Sequence, residues 1–152
     1  MKLVFTWLLA VSLVVGVLGC ETTKGDDEDD PQPEPGVTKT ELLAGTSTKS
    51  WRVEVAKVNG LNVLPYTLAC AKDDNWVFNT NKTYERNEGA TKCKPTDEQV
   101  YEKGSWEFNT AETELIVNKT TKYTISNFTR NTLEISTKNV SGETEELTLK
   151  AN

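Results

Sequence analysis

The chain has 152 residues, 36% of them apolar, with 23 acidic and 17 basic side chains, three cysteines and no histidine. That length holds one small domain with a single core. Without histidine the chain builds no Ser-His-Asp or Cys-His nucleophile pair and none of the common zinc sites, so most enzyme mechanisms fall away and a non-enzymatic protein without cofactor or metal is expected.

Met1 and Lys2 supply a short positive start, Leu3 to Leu18 is unbroken apolar or small, and the run ends at Gly19-Cys20 before the chain turns polar. This is the layout of a signal peptide, and the apolar run is shorter than the about 20 residues a membrane-spanning helix wants. Its last four residues, Val17-Leu18-Gly19-Cys20, resemble the box of bacterial lipoproteins. The resemblance implies that residues 1–19 are removed and that Cys20 becomes the acylated first residue, with palmitate among its chains. Two or three such chains, at about 0.8 kcal/mol per buried methylene, hold a protein durably on a membrane.

Residues 20–36 then read as a tether. Glu21 to Gly36 carries seven acids, one lysine and the alternating prolines Pro31, Pro33 and Pro35, with no large apolar side chain to bury. Such a composition predicts an extended, unpacked spacer. Nearly all the net charge sits there, so residues 37–152 are close to neutral and no nucleic-acid partner is expected. The cluster Asp26 to Asp30 close behind Cys20 is similar to the export signal of surface lipoproteins in the Bacteroides group, which implies an outer-membrane protein facing the cell exterior. The plainer alternative is a solvated spacer on a protein of the periplasmic face. As a calcium loop the cluster lacks spaced ligands and a turn glycine.

From Thr38 the chain reads as a folded domain. Thr38-Lys39-Thr40-Glu41 is a capping box, followed by Leu42-Leu43-Ala44 and Gly45, which predicts one short helical turn. Apolar residues then recur at alternate positions: Trp51, Val53, Val55; Trp76, Phe78; Trp106, Phe108; Leu115, Val117; Tyr123, Ile125; Leu133, Ile135; Leu147, Leu149. Period two means strands, and turn signals such as Asn59-Gly60, Asn79 to Lys82, Asn118-Lys119 and Ser141-Gly142 join them as antiparallel hairpins. The expectation is eight main strands with a short ninth at Leu61 to Val63. Each has one dry and one wet face, which a closed barrel or a two-layer sandwich satisfies, and the meander of short hairpins favours an all-β, up-and-down barrel.

A helical turn, a tryptophan on the first strand and about eight antiparallel strands look like the lipocalin-like barrel, in particular its small bacterial lipoprotein branch. The residues that carry the resemblance are Trp51, Val58-Asn59-Gly60, Cys70-Ala-Lys-Asp73, Cys93 and Gly104-Ser-Trp106-Glu-Phe108, within Glu41 to Lys150.

With Cys20 given to lipid, Cys70 and Cys93 remain as a pair, and their midpoint falls in the Asn79 to Lys82 turn. A hairpin folded there brings them nearly opposite, and a disulfide is expected, worth about 3 kcal/mol in the chain-entropy model. Glu85, Glu107, Glu134 and Glu146 alternate with apolar neighbours and read as outward-facing rather than as a glycosidase pair. Asp73-Asp74 reads as a turn opening a strand rather than a cation site. The Asn-x-Ser/Thr sequons at Asn81, Asn118, Asn127 and Asn139 have no glycosylating route in a bacterial lipoprotein.

The dry face carries Trp51, Trp76, Phe78, Tyr84, Trp106, Phe108 and Tyr123. These rings either fill an eight-stranded barrel or line a cup at its mouth for a small apolar or glycan-derived ligand. If the barrel is solid, the loop Glu88 to Lys103 is the surface expected to meet a cell-envelope protein partner.

Overall fold

The structure, a computed structural model, describes residues 36–152. Cys20, the acidic run and the signal segment lie outside the described residues. Helix α1 (Lys39–Ala44) opens on the expected capping box: the Thr38 hydroxyl accepts from the Glu41 N–H, and the Glu41 carboxylate accepts from the Thr38 N–H. It stops at Gly45, whose φ of 63° is a left-handed value that favours glycine.

Nine strands follow: β1 (Thr48–Val58), β2 (Leu61–Asn62), β3 (Asn75–Asn79), β4 (Thr83–Asn87), β5 (Val100–Phe108), β6 (Glu114–Val117), β7 (Thr121–Phe128), β8 (Thr132–Lys138) and β9 (Thr144–Ala151). All pairings are antiparallel between neighbours, and β1 also pairs with β9, from Trp51 opposite Ala151 to Val58 opposite Glu145. The result is the expected closed up-and-down barrel, of eight strands, with β2 as a short hairpin partner of β1 outside the ring. β1 is long enough to take β3 along its first half and β2 along its last two residues.

Three register shifts interrupt the ladders. One lies between β4 and β5, where Tyr101 is the extra residue, and the other two correct the strict alternation read from the sequence. β1 shifts register between Val53 and Val55 against β9, so Val53 and Ala56 face the interior while Val55 and Lys57 line a groove on the outer wall. β7 shifts between Ile125 and Asn127, which brings Phe128 into the core. An extra residue flips every later side chain to the other face, and no pattern of apolar residues announces it.

One end of the barrel is closed by α1. Leu42, Leu43 and Ala44 are buried in the same core cluster as Trp51, Phe78, Trp106, Leu115, Leu133 and Leu149. The Trp51 indole N–H donates to the Leu43 carbonyl at 2.8 Å, and the Lys49 ammonium donates to the Leu42 carbonyl at 2.8 Å. At the opposite end the β2–β3 connection, residues 63–74, runs through two single 3-10 turns, Leu64–Tyr66 and Ala69–Ala71. Neither carries a periodic pattern, and the sequence reading contains no element there.

Candidate functional site

The interior divides into a filled half and a hollow half. Next to α1, Trp51, Phe78 and Trp106 are fully buried and Tyr84 nearly so, and Phe78 meets Trp106 edge to face with ring centroids 6.1 Å apart. Phe108 packs against Trp106 and Phe128. Of the seven ring positions expected to line a pocket, Trp51, Phe78, Tyr84 and Trp106 are buried core away from the cup, and Phe108 packs half-buried against that core. Trp76 belongs both to the buried core and to the cup wall. The physical reason is that bulky rings on neighbouring strands of an eight-stranded barrel fill its bore.

Trp76 and Tyr123 are the two that reach a cavity. With Val53, Ala56, Leu147, Glu145, Asp74 and Arg86 they line a cup of about 290 Å³ at the open end, partly roofed by Leu64, Thr67 and Ala71 of the β2–β3 connection. A larger depression of about 520 Å³ lies where β7 and β8 part beyond the Thr124–Ser136 pair, lined by Thr121, Lys122, Thr137 and Lys138. It is a cleft between strands and holds none of the buried atoms described below. The cup is the better-built site.

The polar members of the cup follow from alternation continued past the last apolar residue of a strand. Asp74 precedes Trp76 by two, Glu145 precedes Leu147 by two, and Arg86 follows Tyr84 by two, so each shares its neighbour's face. Sequence reasoning missed all three because it carried the inward set only as far as apolar side chains.

Arg86 lies between two rings, its guanidinium carbon 4.7 Å from the Trp76 centroid and 5.5 Å from that of Tyr101. Its Nη1 is 3.5 Å from Glu102 Oε2, while its side chain keeps a third of its surface exposed. Burial alone would lower its pKa, but Tyr84, Tyr101 and Glu102 around it raise it on balance, so it stays charged. Tyr101 donates to Asp74 Oδ2 at 2.8 Å. Burial pushes the Tyr101 phenol up to about 12, with Arg86 opposing and the hydrogen bond to Asp74 adding to the rise. Asp74 is raised above the usual carboxylate range, first by burial and then by the negative charge of Glu88, with the Tyr101 bond opposing.

Three buried side-chain polar atoms have no protein partner among the described residues: Asp74 Oδ1, Trp76 Nε1 and Arg86 Nε. All three belong to side chains that line the cup. The contrast with the other tryptophans is sharp. Trp51, Trp76 and Trp106 each have a cation over the ring, Lys49 at 4.4 Å, Arg86 at 4.7 Å and Lys82 at 3.8 Å. Trp51 and Trp106 donate their indole N–H to the carbonyls of Leu43 and Asn79. Trp76, at the cup, does not.

The wall beside the cup is stapled. The sulfurs of Cys70 and Cys93 lie 1.99 Å apart, at disulfide distance. The β3–β4 ladder pairs Asn75 with Asn87, and continued outward it brings residue 70 within one position of residue 93, although both cysteines sit in loops beyond the ladder. Asp73 reinforces the staple by accepting from the N–H groups of Ala90 and Thr91 and from the Thr91 hydroxyl. Gly89, at φ 60°, passes so close to Asp73 that a Cβ would sit 2.0 Å from its carbonyl oxygen. Glu88 accepts from the Cys93 N–H at 3.2 Å. The loop expected to run from Glu88 to Lys103 is shorter than that, because β5 already begins at Val100.

Among the described residues no group of three or more acidic or cysteine side chains gathers as a metal site. Of the four glutamates read as outward, Glu107 and Glu146 are exposed and Glu85 and Glu134 half-buried, and none lines the cup.

Fold and site together define a small up-and-down β-barrel plugged by a helix at one end and hollowed into a polar-edged cup at the other. No protein-family model matches the chain, and no curated protein matches it.

Proposed function

We propose that the protein is a lipoprotein, acylated at Cys20 and carried on the bacterial outer membrane with its domain toward the cell exterior, whose lipocalin-like barrel binds a small apolar or glycan-derived molecule without chemically changing it. The observation that carries the binding reading is the cup itself: a concave site at the lower end of the ligand-pocket size range, in which apolar walls surround a few buried polar groups that lack protein partners. Gly36, where the tether joins, lies beside Glu41 and Gly45 at the plugged end, which supports a mouth that points away from the point of attachment.

Native mass spectrometry of the protein purified from its own host tests binding directly. An added mass that survives gentle ionisation is the expected result, and bare protein across repeated preparations would discard it. Anchoring is tested by labelled palmitate, which is expected on the natural chain and absent from Cys20→Ala.

A second reading has its own support. Leu61, Tyr66 and Leu68, 67%, 83% and 68% exposed, stand around the β2–β3 connection, a concentration of apolar surface at one place on a small domain. A barrel serving as an interaction module of a cell-envelope complex would use that rim. Cross-linking from position 66 in whole cells separates the two readings.

A further inference from the structure

We propose that the cup selects a neutral, polyhydroxylated ligand, of which a single sugar ring is the simplest member, through Trp76, Arg86 and Asp74. This rests on the reading of the cup as the binding site.

The selection follows from which atoms lack partners and from the charges around them. Trp76 Nε1–H and Arg86 Nε–H are donors, and Asp74 Oδ1 is an acceptor. A purely apolar ligand would cover all three and satisfy none. A cation would satisfy Asp74 and leave both donors unmet. An anion meets an unfavourable field, since the lining holds one cation, Arg86, against the carboxylates of Asp74 and Glu145, and Arg86 already faces Glu102.

A zwitterion is the rival fit, because only Nη1 of Arg86 faces Glu102 and the Nε–H and Nη2–H edge stays open to a carboxylate while Asp74 meets an ammonium. Glutamine is therefore the decisive comparison ligand. Hydroxyl groups fit, because each both donates and accepts and they project singly from a ring. All three atoms are closed to water, so the side chains of the cup must part as a ligand enters. One hydroxyl oxygen then accepts from Trp76, another accepts from Arg86, and a hydroxyl hydrogen goes to Asp74. Val53 and Leu147 offer apolar wall to the C–H face of the ring. The volume of about 290 Å³ equals roughly ten waters' share of the liquid, which suits one ring and its substituents.

The test uses the full chain carrying Cys20→Ala, so that no detergent competes for the cup. The nitrogen-15 indole resonance of Trp76, assigned by its loss in Trp76→Phe, is followed during titration with the methyl glycosides of glucose, galactose, mannose and N-acetylglucosamine. Glucuronate, glutamine and dodecanol form the comparison set. At least one neutral glycoside is expected to move the Trp76 resonance to saturation and to bind at least tenfold more tightly than glucuronate. Asp74→Ala should weaken that glycoside at least tenfold. The wild-type titration decides by itself if that variant fails to fold.

Tighter binding of dodecanol, glucuronate or glutamine would overturn the hydroxyl selection while leaving a ligand-binding barrel. Silence of Trp76 across the whole glycoside series would also overturn it. The broader binding reading falls only if the host-derived protein is bare as well.

Discussion

The side-chain oxygen Oδ1 of Asn118 occupies the space a Cβ on residue 104 would need, lying 1.5 Å from that position. Gly104 is thus required by a neighbour rather than by its own backbone angle. The Asn118 amide uses the space to accept from the Ser105 N–H at 3.2 Å and to donate to Glu102 at 3.0 Å, closing the wall where the short β6–β7 hairpin ends.

Gly104→Ala should therefore expel that amide and cost about 1–3 kcal/mol in thermal or denaturant unfolding, through crowding and the two lost hydrogen bonds. Asn118 sits at φ 53°, so Asn118→Gly removes the side chain without backbone strain. In the Asn118→Gly background the further Gly104→Ala change should cost little. Additive costs would show that the pair does not interact.

Trp51→Phe keeps most of the buried ring and removes the bond to the Leu43 carbonyl. A loss of about 1–3 kcal/mol is expected, because the carbonyl is left buried. Amide hydrogen exchange should accelerate across residues 39–45 more than in β3 or β4. Uniform acceleration everywhere would mean that this bond does not hold the plug.

Asp73 and Asp74 are adjacent and should respond oppositely to pH. Asp73 is held below its ordinary range, first by the Thr91 hydroxyl and then by the Ala90 and Thr91 N–H groups. Its folded pKa is lower than its unfolded one, so its stabilisation is present above about pH 4 and fades as pH falls through the folded value. Asp74 is raised, so the fold is penalised as pH climbs from the unfolded value through the folded one, and the penalty persists at neutrality. At pH 7, Asp73→Asn should lower the melting temperature while Asp74→Asn raises it or leaves it unchanged. Both differences should shrink below pH 4, and a melting series from pH 3 to 8 checks the signs.

Opening the Cys70–Cys93 bridge should cost about 3 kcal/mol in the chain-entropy model for a sequence separation of 23. The double change Cys70→Ala with Cys93→Ala should unfold at lower denaturant, with a slope no shallower than that of the bridged chain, since the unbridged unfolded chain exposes more surface. The two free thiols of a reduced sample should become reactive, and a native mature domain that titrates with two thiols would contradict the bridge.

Much of this architecture is legible in the residues. Period two placed the strands, the Thr38 to Glu41 box placed the helix, and the asparagine-rich turns set the β3–β4 register closely enough to pair the cysteines. What escaped was set by tertiary context. The bulges after Val53 and Ile125 have no local signature, and the 3-10 turns that roof the cup are ordered by what they pack against. The cup's charged residues were readable in principle, since Asp74, Arg86 and Glu145 keep the alternation of their strands. They were passed over because a charge on an inward position is normally expensive, and only a hollow end of the barrel makes it tolerable.

The pairing of β1 with β9 also sets a timetable. Val53 finds Leu149 across nearly the whole length of the domain, so the contact that shuts the ring is among the most distant in sequence. The ring stays open until β9 docks, however many of the local hairpins have formed. Until then β1 and β8 each present a bare edge, the feature by which unfinished sheets join to one another. Closure of this kind belongs among slow folding events, on the millisecond-to-second scale, and loss of β9 would leave no partial barrel to fall back on.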